Sequence, residues 1–258
     1  MRAERRLAYS AALGHDLECR VYTADRDSNG YLMGQPIVAF PSMNGRVWDW
    51  EGWGMVDAVA PLIDAGRITL YCADGIDWQS WTNASAPIEE RAGRHDAYDR
   101  YLVSELLPVM RGETGRQSVW ATGCSMGAFH AANLFFRHPD TVDGVIAISG
   151  IYKPTRFLGN FADEAVYFNS PLYYLPNLED PWYLERYRRA RLVFVVGQGA
   201  WEDDMLADTR ALESVLSEKG VPATFDYWGH DADHDWPWWR KMLPYHLERL
   251  LPPVAELG

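Results

Sequence analysis

The feature that most restricts the fold of this chain is the stretch Ser118–Gly127, S-V-W-A-T-G-C-S-M-G. An apolar run from Val119 to Ala121 reads as a short buried strand. It ends in Gly123-Cys124-Ser125-Met126-Gly127, a G-x-S-x-G pentapeptide. Ala128–Leu134 then continues as a helix with no breaker before Pro139. A strand, a tight turn and a helix in that order are the context that gives the pentapeptide meaning. A serine at so sharp a turn takes a strained backbone conformation, and its hydroxyl stands clear of the sheet. Gly123 and Gly127 leave out side chains that would collide with neighbouring elements. The Met126 amide falls at a helix N-terminus, where it can donate to a developing oxyanion. Ser125 is the expected nucleophile and Met126 the expected first oxyanion donor.

The rest of the chain alternates strand and helix patterns around this point. Leu7–Leu13 and Leu17–Thr23 read as two strands joined by a turn at Gly14-His15-Asp16. Pro36–Phe40 is a short buried strand that runs into the loop Pro41-Ser42-Met43-Asn44-Gly45. Gly52–Ala65 places Met55, Val59, Leu62 and Ile63 at helical spacing, closed by Gly66. Ile68–Cys72 is a strand, and a long helix is expected from about Glu89 to Met110. Beyond the pentapeptide, Val145–Ser149, Leu192–Val196 and Thr224–Trp228 read as strands. Asp204–Lys219 and Trp236–Leu250 read as helices. Residues 150–189 break the pattern. They are rich in aromatics and proline and are expected to form an insertion over the active site at the sheet's carboxyl edge, with short helices at most. Strands alternating with helices imply one α/β domain over residues 1–258, with a mainly parallel sheet and helices on both faces. In such sheets the site lies at the carboxyl ends of the strands.

Composition narrows the partners. A content of 48% hydrophobic residues in 258 is ample for one large core. The net charge of −12, from 24 basic and 36 acidic residues, argues against nucleic acid or an anionic membrane as partner. The cluster Arg186, Arg188, Arg189 and Arg191 reads as a helix end. Cys19, Cys72 and Cys124 are scattered in a way that suits neither a disulfide framework nor a zinc site. The apolar stretch Leu7–Leu13 is too short for a signal peptide, and no run is long enough to span a bilayer. The expectation is a cytoplasmic protein with a small-molecule partner and no cofactor or metal. Assembly into a homo-oligomer is left open.

A serine is a weak nucleophile until a base takes its proton, and the base is normally an imidazole oriented by a carboxylate. Among seven histidines, His230 and His234 share a loop after an expected strand, Thr224–Trp228. His234, immediately before the last helix, is favoured. His130, one turn past Ser125, reads as a packing residue. The acid comes from Gly197–Asp204, after Leu192–Val196, where Glu202 and Asp203 are near-equal candidates and Asp204 reads as a helix cap. The second oxyanion donor comes from the loop after Pro36–Phe40, with the Met43 amide preferred and Asn44 as the alternative.

With these residues in place, the chain resembles the esterases of the α/β-hydrolase fold related to esterase D (S-formylglutathione hydrolase), feruloyl esterases, enterochelin esterase and the mycolyltransferases. The resemblance rests on G-C-S-M-G, on G-Q-G-A-W-E-D-D-M-L after a strand, and on H-D-W-P-W-W-R near the C-terminus, and covers roughly residues 36–250. It implies Ser125 as nucleophile, His234 as base and an acid at Glu202 or Asp203. Many relatives carry a His-Gly oxyanion loop where this chain has Pro41-Ser42-Met43-Asn44-Gly45. The implied function is a serine esterase that passes through an acyl-enzyme on a small or aromatic ester. The alternative is an acyltransferase with the same triad and an acceptor other than water.

Trp48, Trp50 and Trp53 follow the oxyanion loop, and Trp78 and Trp81 follow the strand Ile68–Cys72. As walls of a substrate pocket the expectation names Asn44, Trp48, Trp78 and Trp81. Cys124 reads as a small packing residue. Two other readings remain. His230 and His234 among Asp231, Asp233 and Asp235 could ligate a metal, although such pairs usually sit on a helix. A catalytically dead binding protein is the other.

Overall fold

The structure, a computed structural model, describes residues 1–252. Eight strands form one sheet: β1 (Arg2–Ser10), β2 (His15–Thr23), β3 (Gln35–Phe40), β4 (Ile68–Ala73), β5 (Val119–Cys124), β6 (Val142–Ile148), β7 (Arg191–Val196) and β8 (Thr224–Tyr227). Their spatial order is β1-β2-β4-β3-β5-β6-β7-β8. β2 runs antiparallel to both β1 and β4, and the remaining neighbours are parallel.

The central strands are unbroken apolar runs because both faces of the sheet are covered. Val38, Phe40, Val119 and Ala121 pack into the core on one face, and Ile37, Ala39, Trp120 and Cys124 into the core on the other. The second face is closed after the short helix α1 (Asp49–Gly52) by α2 (Met55–Asp64) and by the last helix of the chain. The first is closed by α3 (Ile88–Tyr101), α4 (Leu107–Thr114) and α5 (Met126–Arg137). Between β6 and β7 lie four short helices, α6 (Thr155–Leu158), α7 (Glu164–Phe168), α8 (Pro171–Tyr174) and α9 (Pro181–Arg189). α10 (Asp203–Glu218) and α11 (Trp236–Leu250) follow β7 and β8. Arg186, Arg188 and Arg189 occupy the last turn of α9, where cations offset the helix's terminal carbonyls.

The structure moves several of the expected bounds: His15 and Asp16 belong to β2 rather than to a turn, the helix expected over Gly52–Ala65 is α1 and α2, and β6 begins at Val142. Two differences have a physical cause. β1 begins at Arg2 and ends at Ser10, where Leu7–Leu13 was expected. It is an edge strand, mostly exposed, and its arginines and glutamate suit an edge rather than an apolar run. The long helix expected to end near Met110 is α3, a π-helical turn at Leu102–Leu106, and α4, which stops at Gly115 with φ 65°. Pro108 has no N–H to return to the preceding turn, and the wider turn lies where that bond would fall.

Register sets the position of the site. Phe40 pairs with Gly123, Cys124 with Ile148, and Val196 with Tyr227. The carboxyl ends of β3, β5, β6, β7 and β8 are therefore nearly flush, and the loops that leave them meet along one edge. Among the described residues no helix is long and apolar enough to cross a membrane.

Candidate active site

Ser125 lies between the last residue of β5 and the first of α5, with φ 57° and ψ −121°. Positive φ in a residue with a side chain costs about 1–3 kcal/mol and persists only where the surroundings enforce it. Two close approaches enforce it here. A Cβ on Gly123 would lie 2.2 Å from the Gly127 carbonyl carbon, and one on Gly127 would lie 2.6 Å from the Phe40 oxygen. The Ser125 N–H donates to the Ile148 carbonyl at 2.9 Å and fixes the turn to β6.

His234 Nε2 lies 2.9 Å from Ser125 Oγ, and its Nδ1 lies 3.2 Å from Glu202 Oε2. With the ring proton on Nδ1, Nε2 is free to accept from the serine hydroxyl. Glu202 is fully buried, at 0% exposure, and such a carboxylate is tolerated only with partners. Its Oε1 accepts from the Ser149 hydroxyl and, at 3.4 Å, from the Gly197 N–H. Ser149 has φ 54°, and its Oγ accepts the Trp239 indole N–H at 3.1 Å. The Trp239 ring stands edge-on to the His234 imidazole, with centroids 4.9 Å apart.

Asp203, the other acid left open by the sequence, is exposed in the first turn of α10 and makes no hydrogen bond to His234 among the described residues. Asp204 is also exposed, 3.8 Å from Arg156. His230 faces the Gln198 carbonyl at 3.4 Å rather than Ser125. Among the described residues no group of three or more histidine, cysteine, aspartate or glutamate side chains is set to hold a metal ion. Burial pushes the Cys124 thiol well above its ordinary pKa, so it stays protonated and inert.

A cleft of about 490 Å³ opens over Ser125. Met43 and Met126 line it, and neither backbone N–H has a hydrogen-bond partner among the described residues. The Asn44 N–H, by contrast, donates to Asp77 Oδ2 at 3.2 Å. A larger cavity, of about 670 Å³, lies at the amino ends of the strands among Arg67, Arg116, Trp120 and Arg191 and contains none of these residues.

The expected pocket walls need correction. Asn44, Trp48, Trp78 and Trp81 do not line the cleft. The Arg20 and Arg46 guanidinium groups lie over the Trp48 ring, Trp81 is buried against His95 and Phe129, and Trp78 lines a separate hollow beside His15. The tryptophans that do line it are Trp53, Trp201, Trp236 and Trp239. Trp53 and Trp236 stack, with planes 8° apart and centroids 6.0 Å apart. Trp201, at φ 67°, is 84% exposed at the rim. The sequence carried a signal for three of these. Trp201 immediately precedes Glu202, and Trp236 and Trp239 lie two and five residues after His234. Ile151, Arg156 and Phe157, from the start of the segment between β6 and β7, complete the wall with Met205.

The model of an esterase family, described as "Putative esterase", matches residues 72–250, more than two thirds of the chain. No curated protein matches the sequence. Among solved structures, a ferulic acid esterase superposes with a TM-score of 0.75 at 18% identity, over 100% of this chain and 98% of its own. Mycobacterium tuberculosis MPT51 gives 0.72 at 16% identity, over 100% of both chains. The Staphylococcus aureus S-formylglutathione hydrolase gives 0.71 at 14% identity, over 96% of this chain and 95% of its own. At these identities the likeness is one of fold, that of the α/β-hydrolases.

Proposed function

Because the chain belongs to this esterase family, we propose that it hydrolyses carboxylic esters through Ser125, His234 and Glu202. The observation that carries the reading is the pair of contacts Oγ–Nε2 and Nδ1–Oε2, at 2.9 and 3.2 Å, opening into a cleft beside two amides that have no partner among the described residues.

The chemistry follows from that geometry. Ser125 Oγ attacks the ester carbonyl carbon while His234 Nε2 takes its proton. Glu202 stabilises the resulting imidazolium and keeps Nδ1 protonated. The carbonyl oxygen becomes an oxyanion and accepts from the Met126 and Met43 N–H groups, a donor of this kind contributing about 3 kcal/mol in the transition state. As the intermediate collapses, the C–O bond to the alcohol breaks and His234 gives its proton to the departing oxygen. Water then attacks the acyl-serine with His234 again as base. The acid leaves, and Ser125 recovers its proton.

The substrate proposed is a small ester or one with an aromatic group. Trp53, Trp201, Trp236 and Phe157 supply apolar faces along the cleft, with Arg156 as a cation at its wall. The test compares acetyl and arylacyl p-nitrophenyl esters on wild-type, Trp201→Ala and Trp236→Ala proteins. Selective loss of kcat/KM for the arylacyl ester, about tenfold for a lost aromatic contact, supports the pocket. Equal loss on both esters contradicts it. Ser125→Ala is expected to lower kcat about a millionfold on either.

A further inference from the structure

We propose that Asp77 and His130 are positioning residues that hold the oxyanion loop, residues 41–45, in register with the nucleophile. The proposal rests on the reading of Ser125 as nucleophile and of the Met43 amide as an oxyanion donor.

Met43 must present its N–H to the cleft, yet the loop around it is held from within by one backbone bond alone, from the Gly45 N–H to the Ser42 carbonyl at 2.8 Å, among the described residues. Its side chain is 45% exposed and cannot fix the backbone. Three buried aspartates do so from the flanks. Asp49 Oδ2 accepts the Ser42 N–H at 2.8 Å and the Ser42 hydroxyl at 2.9 Å. Asp77 Oδ2 accepts the Asn44 N–H at 3.2 Å. Asp74 Oδ1 accepts the Val47 N–H at 3.0 Å, and both its oxygens pair with Arg46. The amides before and after Met43 are thus both held by carboxylates, and among the described residues the Met43 amide is the one in this loop with no partner.

Asp77 differs from the other two in what stands behind it. Its Oδ1 lies 2.8 Å from His130 Nε2, and the two side chains are 2% and 4% exposed. His130 is on α5, in the second turn after Ser125. The path from the nucleophile helix to the oxyanion loop is therefore His130 Nε2–H to Asp77, and Asp77 to the Asn44 N–H. His130 Nδ1 is buried with no hydrogen-bond partner among the described residues, so the Nε2–Asp77 contact is the one that orients the ring. At the far end of the path Asn44 takes φ 58°, the left-handed conformation that asparagine tolerates in a turn. The Thr82 hydroxyl reinforces it by donating to Asn44 Oδ1. The loops themselves touch at the backbone: a Cβ on Gly75 would lie 2.5 Å from the Gly45 oxygen. An orphaned buried acid would cost stability; one spanning two elements in this way sets their spacing.

The experiment measures kcat, KM and the affinity for a trifluoromethyl ketone analogue of a good substrate. The ketone forms a hemiketal with Ser125 whose oxyanion occupies the hole, so its affinity reports the hole directly. Rates are expressed per site titrated with a fluorophosphonate, which counts only folded, competent enzyme. Asp77→Ala is expected to lower kcat and ketone affinity by the same factor, about 10- to 100-fold, with KM changed less than about threefold, because a misplaced oxyanion donor is felt in the transition state. Asp77→Asn is expected to recover part of the loss, because its carbonyl still accepts from the Asn44 N–H, whereas its NH₂ meets an acceptor at His130 Nε2 only if the ring proton moves to Nδ1, which has no partner among the described residues. His130→Phe keeps the aromatic packing against Phe40, Tyr98 and Phe129 and removes the donor. It is expected to lower kcat and ketone affinity together, and less than additively when combined with Asp77→Ala. Titrated Asp77→Ala and His130→Phe enzymes with wild-type kcat would overturn the proposal, as would a loss confined to KM or a fall in kcat with ketone affinity intact. Failure of the ketone and the fluorophosphonate to react with wild-type protein would instead overturn the Ser125 reading beneath it.

Discussion

His234 and Ala200 are joined backbone to backbone: the His234 N–H donates to the Ala200 carbonyl at 2.9 Å. The loop that carries the imidazole after β8 is thereby fixed to the loop that carries Glu202 after β7. Further bonds cross the same gap. The Gly199 N–H donates to the Ala232 carbonyl at 2.9 Å, and the Ala200 N–H to Asp233 Oδ1 at 2.7 Å.

Glycine is required at this seam. A Cβ on Gly197 would lie 2.1 Å from the Ala232 oxygen, and one on Gly199 would lie 2.3 Å from Asp233 Oδ1. Gly197→Ala is expected to push the two loops apart, with an overpacking cost of about 1–3 kcal/mol and a fall in kcat larger than the change in KM. Thermal unfolding and steady-state kinetics on the same preparation check both.

Glu202 and Asp203 separate cleanly by amide substitution. Glu202→Gln puts an NH₂ where Nδ1–H needs an acceptor, favours the wrong tautomer and is expected to lower kcat about 10³- to 10⁴-fold. Asp203→Asn alters an exposed first-turn acid and is expected to stay within about threefold. A silent Glu202→Gln would place the orienting acid elsewhere.

Ser149 joins Glu202 to Trp239, and Ser149→Ala leaves the indole N–H and one carboxylate oxygen short of a partner. The expected result is a loss of about 1–3 kcal/mol of stability, with kcat reduced as Glu202 gains freedom. Denaturant unfolding and kcat are the measurements.

Much of this site was legible in the sequence because its parts lie at strand ends that the apolar runs mark. Ser125 is announced by the glycines around it, and His234 by the helix that starts at Trp236. What was not legible depends on side chains meeting across loops. Glu202 and Asp203 are adjacent and alike in type, and only the turn through Trp201 at φ 67° decides which of them is buried. Ser149, Asp77 and His130 carry no motif, since the partners of their side chains are 33 residues away or more in the chain. Trp81 was placed in the pocket on loop position alone, whereas the loop after β4 turns its ring inward, where aromatic packing against His95 and Phe129 holds it.

His95 gives the fold an acid sensitivity. Burial holds its pKa well below the ordinary 6.5, with the Arg137 charge acting in the same direction, so it is neutral when folded and protonates readily when unfolded. A base whose folded pKa is depressed takes up protons on unfolding, so stability is fully present above 6.5 and falls as pH drops below it. His95→Gln is expected to flatten the fall in unfolding free energy below 6.5, whatever its effect at higher pH. Denaturant titrations across that range read the slope, and a slope equal to that of the wild type would mean that His95 does not titrate on unfolding.

Covalent labelling tests the assignment of Ser125 most directly. A serine activated by His234 and facing an oxyanion hole attacks phosphorus, because the tetrahedral adduct resembles the transition state that the site stabilises. The protein is treated with a fluorophosphonate, with and without EDTA, then digested, and the adduct is located by mass spectrometry. One adduct is expected, on the peptide that contains Ser125, unaffected by chelator and absent in His234→Ala. Labelling at another serine with Ser125 unmodified, or ester cleavage that persists after Ser125 is fully labelled, would contradict it.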